Sequence, residues 1–163
     1  MNRHYTTEDY LNRCQILRKA FKNPAITTDV IVGFPGETEE EFERTREFVK
    51  EVGFADVHVF SYSVRSGTKA AGMKDQVPPE VKHQRSEMLM ADAKHGKIKY
   101  EEWFIGREEK ILFEEIRSIE GKEYLIGHNE RYVMVKIPRN EAETAGFMEN
   151  GIGSIRIHKT NLI

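Results

Sequence analysis

Apolar positions along the first hundred residues change period twice. Tyr10, Leu11, Cys14 and Leu17, with Arg18, recur at helical spacing behind Thr6-Thr7, either of which can cap a helix. Asn23-Pro24 breaks that helix just after Phe21. Ala25 to Gly33 is short, rich in β-branched residues and apolar on both faces, which predicts a buried parallel strand. Phe34-Pro35-Gly36-Glu37 turns the chain, and Thr38-Glu39-Glu40-Glu41 reads as a capping box. The helix it opens carries Phe42, Thr45, Phe48, Val49 and Val52 and stops at Gly53. Val57 to Tyr62 is a second strand, and the loop 63–68 leaves its C-terminal end. Helix, strand, helix, strand with short connections is the order of a parallel βα fold.

Pro78-Pro79 opens a longer, mostly polar helix over 79–102. Its narrow apolar stripe, with Val81, Arg85, Met88, Leu89 and Asp92 on one side, predicts a connector on a domain edge. After Trp103 the pattern shortens: 110–113, 124–126, 132–137 and 152–157 read as strands punctuated by Gly121, Gly127, Pro138 and Gly151. Several strands in so short a span predict a small antiparallel barrel. The division expected is therefore α/β: βα units over 1–78, a connecting helix over 79–102 and a β-barrel over 103–163.

Composition narrows the function classes. With 39% hydrophobic and 32% charged residues, the chain reads as a globular protein with a highly charged surface. No apolar run approaches the roughly 20 residues of a membrane span. Met1 to Tyr5 lacks the apolar core of a signal peptide, so a cytoplasmic location with no membrane partner is expected. The formal net charge of −2 argues against a generally basic nucleic-acid binder, so any RNA contact must be local or shared. A single cysteine, Cys14, excludes a multi-thiolate metal site built from this chain alone, and its place in a helix suits a small buried apolar residue.

Ligands of parallel βα folds gather at the C-terminal ends of the strands. That directs attention to Gly33-Phe34-Pro35-Gly36-Glu37 and to the 61–68 loop. Gly33 and Gly36 allow close backbone approach or a positive φ, and the next helix N-terminus could favour an anion; the plain alternative is a strand–turn–helix corner. Strand alternation puts Thr27, Asp29, Ile31 and Gly33 on one face and Ile26, Thr28, Val30 and Val32 on the other. Facing a barrel interior, Asp29 needs a partner or ligand; at a sheet edge it would face water. Arg65 at the same rim could hold a phosphate or carboxylate through its fork of donors, or simply be solvated. The histidines show no metal-ligand spacing, and the glutamates over 37–43 and 114–123 read as solvated faces. In the C-terminal part, Arg131, Tyr132, Lys136, Arg139, Arg156, His158 and Lys159 mix basic and aromatic groups, as RNA-binding surfaces do, though acidic residues are equally frequent there.

Three segments carry a family resemblance: Met1 to Tyr10, Ile26 to Thr38 (Ile-Thr-Thr-Asp-Val-Ile-Val-Gly-Phe-Pro-Gly-Glu-Thr), and Phe60 to Thr68 (Phe-Ser-Tyr-Ser-Val-Arg-Ser-Gly-Thr). Together they resemble the radical-SAM tRNA methylthiotransferases, and most of all the branch that modifies N6-threonylcarbamoyladenosine beside the anticodon. Gly106, Tyr124 to His128 and Tyr132 to Lys136 resemble the family's TRAM domain, an RNA-binding β-barrel. The likeness weakens over 140–163, where Asn140 to Asn150 reads as a loop peculiar to this chain.

The resemblance implies the C-terminal part of a radical-SAM partial (β/α) barrel followed by the TRAM barrel. It implies S-adenosylmethionine and two 4Fe-4S clusters in the parent enzyme, with tRNA as substrate. Carried over residue by residue, Ile31, Val32 and Gly33 on one strand, and Phe60 and Ser61 on the next, would lie at the cofactor's adenine. Asp29 and Arg65 would line the central cavity; Arg131, Tyr132, Lys136, Arg156 and Lys159 remain RNA-contact candidates from the reading of the residues themselves. The family's CxxxCxxC motif and its three N-terminal cysteines are absent from this sequence, and Val64 stands where such enzymes often carry proline. The expectation is therefore a C-terminal fragment, inactive and without a cluster by itself. It would be completed by the N-terminal part of the same enzyme, with an exposed sheet edge that could drive oligomerisation. The alternative is a stand-alone RNA-binding or accessory module.

Overall fold

The computed structural model describes residues 4–163 as two compact units that divide between Tyr100 and Glu101. The Met1 to Arg3 part of the first family-like segment lies outside the described residues.

In the first unit, α1 (Thr7–Ala20) starts at Thr6, whose hydroxyl accepts from the Asp9 N–H while the Asp9 carboxylate accepts from the Thr6 N–H. It delivers Cys14 to the core and leaves Leu17 exposed. Strand β1 (Thr27–Val32) pairs in parallel with β2 (Asp56–Ser61), in the register Asp29 to His58 and Ile31 to Phe60. Between them runs α2 (Glu39–Val52). Thr38 and Glu41 cap it reciprocally, and Gly53 ends it with φ +61, a left-handed angle that glycine adopts without a Cβ clash. The core is one-sided: Ile26, Val32, Phe42, Val49, Val52, Phe54 and Val57 are buried together with Cys14, and Val30 and Val59 pack against them. The opposite face of the two strands, with Asp29, Ile31, His58 and Phe60, is exposed.

Helix α3 (Pro79–Glu102) is more than the connector its composition suggests. Leu89 and Ala93 enter the first unit's core, and Asp92 pairs with Arg46 at 2.6 Å and Lys50 at 3.0 Å on α2. Asp92 is thus paired with α2, while Glu80, His83, Gln84, Glu87, Lys94, His95 and Lys99 on the same helix stay exposed. Burial opposes the Asp92 charge, but hydrogen bonds from Arg46 and Lys50 outweigh it and hold the pKa below its ordinary value.

The second unit is an antiparallel sheet in the order β5-β4-β3-β6, made of β3 (Glu108–Ile119), β4 (Lys122–Asn129), β5 (Met134–Pro138) and β6 (Ile152–Arg156). Strand β3 is far longer than 110–113, because it continues through a bulge between Phe113 and Glu115. Glu114 and Glu115 therefore sit on this strand, and both are exposed, as the solvated face expected of them requires. Tyr132 does not start β5: with φ +59 it belongs to the turn before it. The stretch expected as a loop over 140–150 instead begins as α4 (Arg139–Thr144) and then returns Phe147 to stack on Phe113, with centroids 5.0 Å apart. After β6 the chain crosses to the other edge of the sheet, where Leu162 bridges Val135 and the Asn161 amide donates to the Lys136 carbonyl.

Candidate functional site

Parallel strands send their C-terminal ends the same way, so the loops that follow β1 and β2 meet. On the exposed face beneath them lies an open concavity of about 610 Å³. Asp29 and Ile31 from β1, Phe60 and Ser61 from β2, and Arg65 from the following loop all line it. Five residues selected from sequence therefore share one surface. Ile31 and Phe60 are register partners, and Phe60 is 53% exposed, so together they form an apolar floor open to solvent. Asp29 and Arg65 supply opposite charges at its margins. Phe34 and Tyr62 add a rim, their rings meeting edge-on at 5.4 Å. Sequence reasoning singled out the segments that hold both rings, 33–37 and 61–68, but gave neither ring a role of its own.

Val32 and Gly33 are not brought to this surface. The Val32 side chain points to the opposite face and is fully buried in the core, as strand alternation requires for a neighbour of Ile31. Gly33 has φ +70, but the side chain pressed against it is that of Lys82, whose Cγ a Cβ at Gly33 would strike. Its N–H is taken by the Glu37 carboxylate at 2.7 Å. The anion-binding potential expected at the α2 N-terminus is likewise met from within, by Thr38 and Glu41. Glu37, read from sequence as part of a solvated face, is mostly buried against Arg85, which reaches it at 2.7 Å. Burial works against the Arg85 charge, yet the Glu39 and Glu37 carboxylates outweigh it and raise the guanidinium's pKa.

The basic and aromatic residues of the second unit are dispersed over its strands and turns. Tyr132 is 81% exposed and stacks on His128 at 4.8 Å. Arg131 lies 5.5 Å from the Trp103 ring, and Lys136 lies 5.4 Å from the Tyr124 ring. Arg156 is on the edge strand β6, in register with Glu108, and Lys159 pairs with Glu102 at 3.4 Å. Lys136 and Arg156 thus occupy opposite edge strands. A second open hollow of about 440 Å³ is lined by Lys110, Leu112, His128 and Ile152, among others, and by none of the five residues expected to meet RNA.

Among the described residues no group of three or more His, Cys, Asp or Glu side chains is placed to hold a metal ion, and no helix is long and apolar enough to cross a membrane.

Residues 1–49, which include α1, β1 and the turn into α2, match the Radical SAM superfamily. The tRNA-2-methylthio-N(6)-dimethylallyladenosine synthase of Caldicellulosiruptor saccharolyticus is 48% identical over 114 residues, 70% of this chain and 24% of that protein. The protein of the same name from Lachnoclostridium phytofermentans is 44% identical over 118 residues, 72% of this chain and 26% of that protein. The threonylcarbamoyladenosine tRNA methylthiotransferase of Bacillus subtilis is 42% identical over 136 residues, 83% of this chain and 30% of that protein. The chain thus spans about a quarter to a third of the length of these curated relatives. Over most of its own length it is a homologue of the tRNA methylthiotransferases, and its first 49 residues carry the radical SAM match.

Proposed function

We propose that this chain forms the C-terminal part of a radical-SAM tRNA methylthiotransferase, which adds a methylthio group to a hypermodified adenosine beside the anticodon. Its first unit would contribute the last βα units of a partial barrel, and its second a TRAM-like RNA-binding barrel. The observation that carries the reading is the concavity where Asp29, Ile31, Phe60, Ser61 and Arg65 meet at the C-terminal ends of parallel strands. Its chemistry suits S-adenosylmethionine: an apolar floor for a purine, and a carboxylate and a guanidinium for the charged ends of an amino acid.

When bound beside a reduced iron–sulfur cluster, that cofactor supplies a carbon-centred radical. With a single cysteine, this chain leaves both clusters' thiolate ligands to other segments of the enzyme. In this reading Ile31 and Phe60 hold the adenine by apolar contact, and Asp29 and Arg65 orient polar groups of the cofactor or target base. Arg131 and Tyr132 contact the RNA through charge and ring stacking, and Lys136, Arg156 and Lys159 add phosphate contacts. The outer edges of β1 and β2 are unpaired among the described residues, so they would pair with further strands of the same enzyme or with a second copy.

N6-threonylcarbamoyladenosine is the substrate we favour, since the relative named for it aligns over 136 residues against 114 for the first-named relative. N6-dimethylallyladenosine is the second reading, favoured by the higher identity of the relatives named for it. The test is a chimaera in which this chain replaces the aligned segment of the Bacillus subtilis enzyme. After reconstitution, nucleosides from treated tRNA are separated by mass spectrometry. The 2-methylthio form of the threonylcarbamoyl nucleoside is the expected product; the dimethylallyl form would select the second reading. Neither product, with tRNA binding intact, would favour an RNA-binding module without catalysis.

A further inference from the structure

Helix α3 holds both strand ends that border the concavity. Arg85 is buried, and its fork reaches the Glu37 carboxylate at 2.7 Å, the Glu37 carbonyl at 3.1 Å and the Glu39 carboxylate at 2.9 Å. Glu37 in turn accepts from the Gly33 N–H at 2.7 Å, at the end of β1. One turn earlier, Lys82 Nζ donates to the Tyr62 carbonyl at 3.0 Å, at the end of β2, while its methylenes fill the space beside Gly33. The Tyr62 N–H donates to the Val32 carbonyl at 2.8 Å, which ties the two strand ends to each other. Of the two rings that rim the concavity, Phe34 directly follows the anchored Gly33, and Tyr62 is itself anchored through its backbone.

Packing alone does not require this arrangement. Leu89 and Ala93 seat the same helix with apolar side chains one and two turns later, whereas a buried guanidinium is costly unless its partners are held in good geometry. What Arg85 and Lys82 add is direction, since each bond runs to a backbone or carboxylate that fixes a loop exit. We infer that Lys82 and Arg85 are positioning residues for the concavity, acting through Glu37, Gly33 and Tyr62 to set the Phe34–Tyr62 rim against its ligand. The nucleoside character of that ligand rests on the proposed function; the hold on the rim does not.

Backbone NMR of the whole chain tests this, with amide exchange as one readout and titration with S-adenosylhomocysteine as the other. In Arg85→Met the Gly33 and Tyr62 amides are expected to exchange at least about tenfold faster, while the Val49 and Leu89 amides change little. Arg85→Lys keeps the charge without the fork and falls between Arg85→Met and the parent. If Arg85→Met does not fold, Lys82→Met serves: it keeps the methylenes beside Gly33, loses the bond to Tyr62, and should loosen Tyr62 selectively. Unchanged exchange at Gly33 and Tyr62, or equal acceleration throughout the first unit, would overturn the inference. In the titration, the parent chain should show shifts at Ile31 and Phe60, and Arg85→Met should bind several-fold more weakly. Absence of any shift in the parent would overturn the cofactor reading of the concavity and leave the exchange result to decide the positioning of the rim.

Discussion

The two sheets of this protein place their candidate binding residues in opposite ways. In the parallel pair β1–β2, both C-terminal ends point the same way, so residues distant in sequence, Asp29 and Arg65 among them, collect around one concavity. In the antiparallel sheet β5-β4-β3-β6, successive loops alternate between ends, and the basic residues spread to opposite edges, Lys136 on β5 and Arg156 on β6. Strand direction, more than residue type, decides whether chemistry-bearing residues converge. Where they converge, apolar groups remain uncovered: Phe60 is half exposed on a face that the helices leave bare. The contrast predicts that one face of the first unit carries its stability and the other its binding.

The largest expected effect lies on the covered face. Phe42 is fully buried on α2, with the Arg85 guanidinium 5.2 Å from its ring. Phe42→Ala should cost about 3–5 kcal/mol in a denaturant titration, from lost burial and the cavity left behind. Hydrogen exchange by peptide should confine the loss to the first unit. Equal loss over 101–163 would show that the two units unfold together, and the contrast between their sheets would lose its energetic content.

Acid is expected to act next, through the same face. The folded-state pKa of Asp92 lies below 3.8, so its ion pairs with Arg46 and Lys50 contribute fully above that value and are lost as pH falls through the folded pKa. The first unit should therefore lose stability below about pH 4, and Asp92→Asn should lose it already at neutral pH and flatten the acid limb. A parallel acid profile in parent and variant would remove this ion pair from the account.

How far the sequence foretold these features depends on how local their causes are. The Thr38–Glu41 box, the Gly53 stop and strand β1 were legible because neighbours within a few positions determine them. Asp29, Ile31, Phe60, Ser61 and Arg65 were chosen by the family resemblance and by the rule that ligands gather at strand ends, and the structure brings the five to one concavity. Val32 was misplaced by carrying a whole strand over, when period-two alternation allows only every second side chain on a face. The Glu37–Arg85 pair was illegible: its members are 48 positions apart, and a run of glutamates at a helix start looks like a solvated surface. Tyr132 reads as strand by propensity, and only its positive φ removes it.

A smaller effect is expected from the α2 cap, which stands between the two faces. The Thr38 hydroxyl accepts from the Glu41 N–H at 3.2 Å, and Thr38→Ala should cost about 1 kcal/mol of first-unit stability. The same variant frees a helix donor near the rim, so comparing its effect on stability with its effect on S-adenosylhomocysteine affinity tells whether the α2 N-terminus takes part in binding. Because that terminus is self-capped, affinity should stay within about twofold while stability falls, roughly 0.4 kcal/mol or less in binding. A larger change in affinity than in stability would return the helix N-terminus to the site.

The smallest stability effect is expected where the largest binding effect lies. Phe60 is 53% exposed, and its ring faces the concavity rather than the core. Truncating a surface side chain away from packed features shifts stability by about 0.5 kcal/mol at most, so Phe60→Ser should melt with the parent chain. An exposed phenyl ring kept beside Ile31 is instead suited to the flat face of a purine, and its loss should weaken S-adenosylhomocysteine by about tenfold or more. Measuring melting and affinity on one preparation separates the two roles directly. If Phe60→Ser destabilises the fold as Phe42→Ala does, the open face is a second core surface, and the concavity no longer distinguishes the parallel sheet from the antiparallel one.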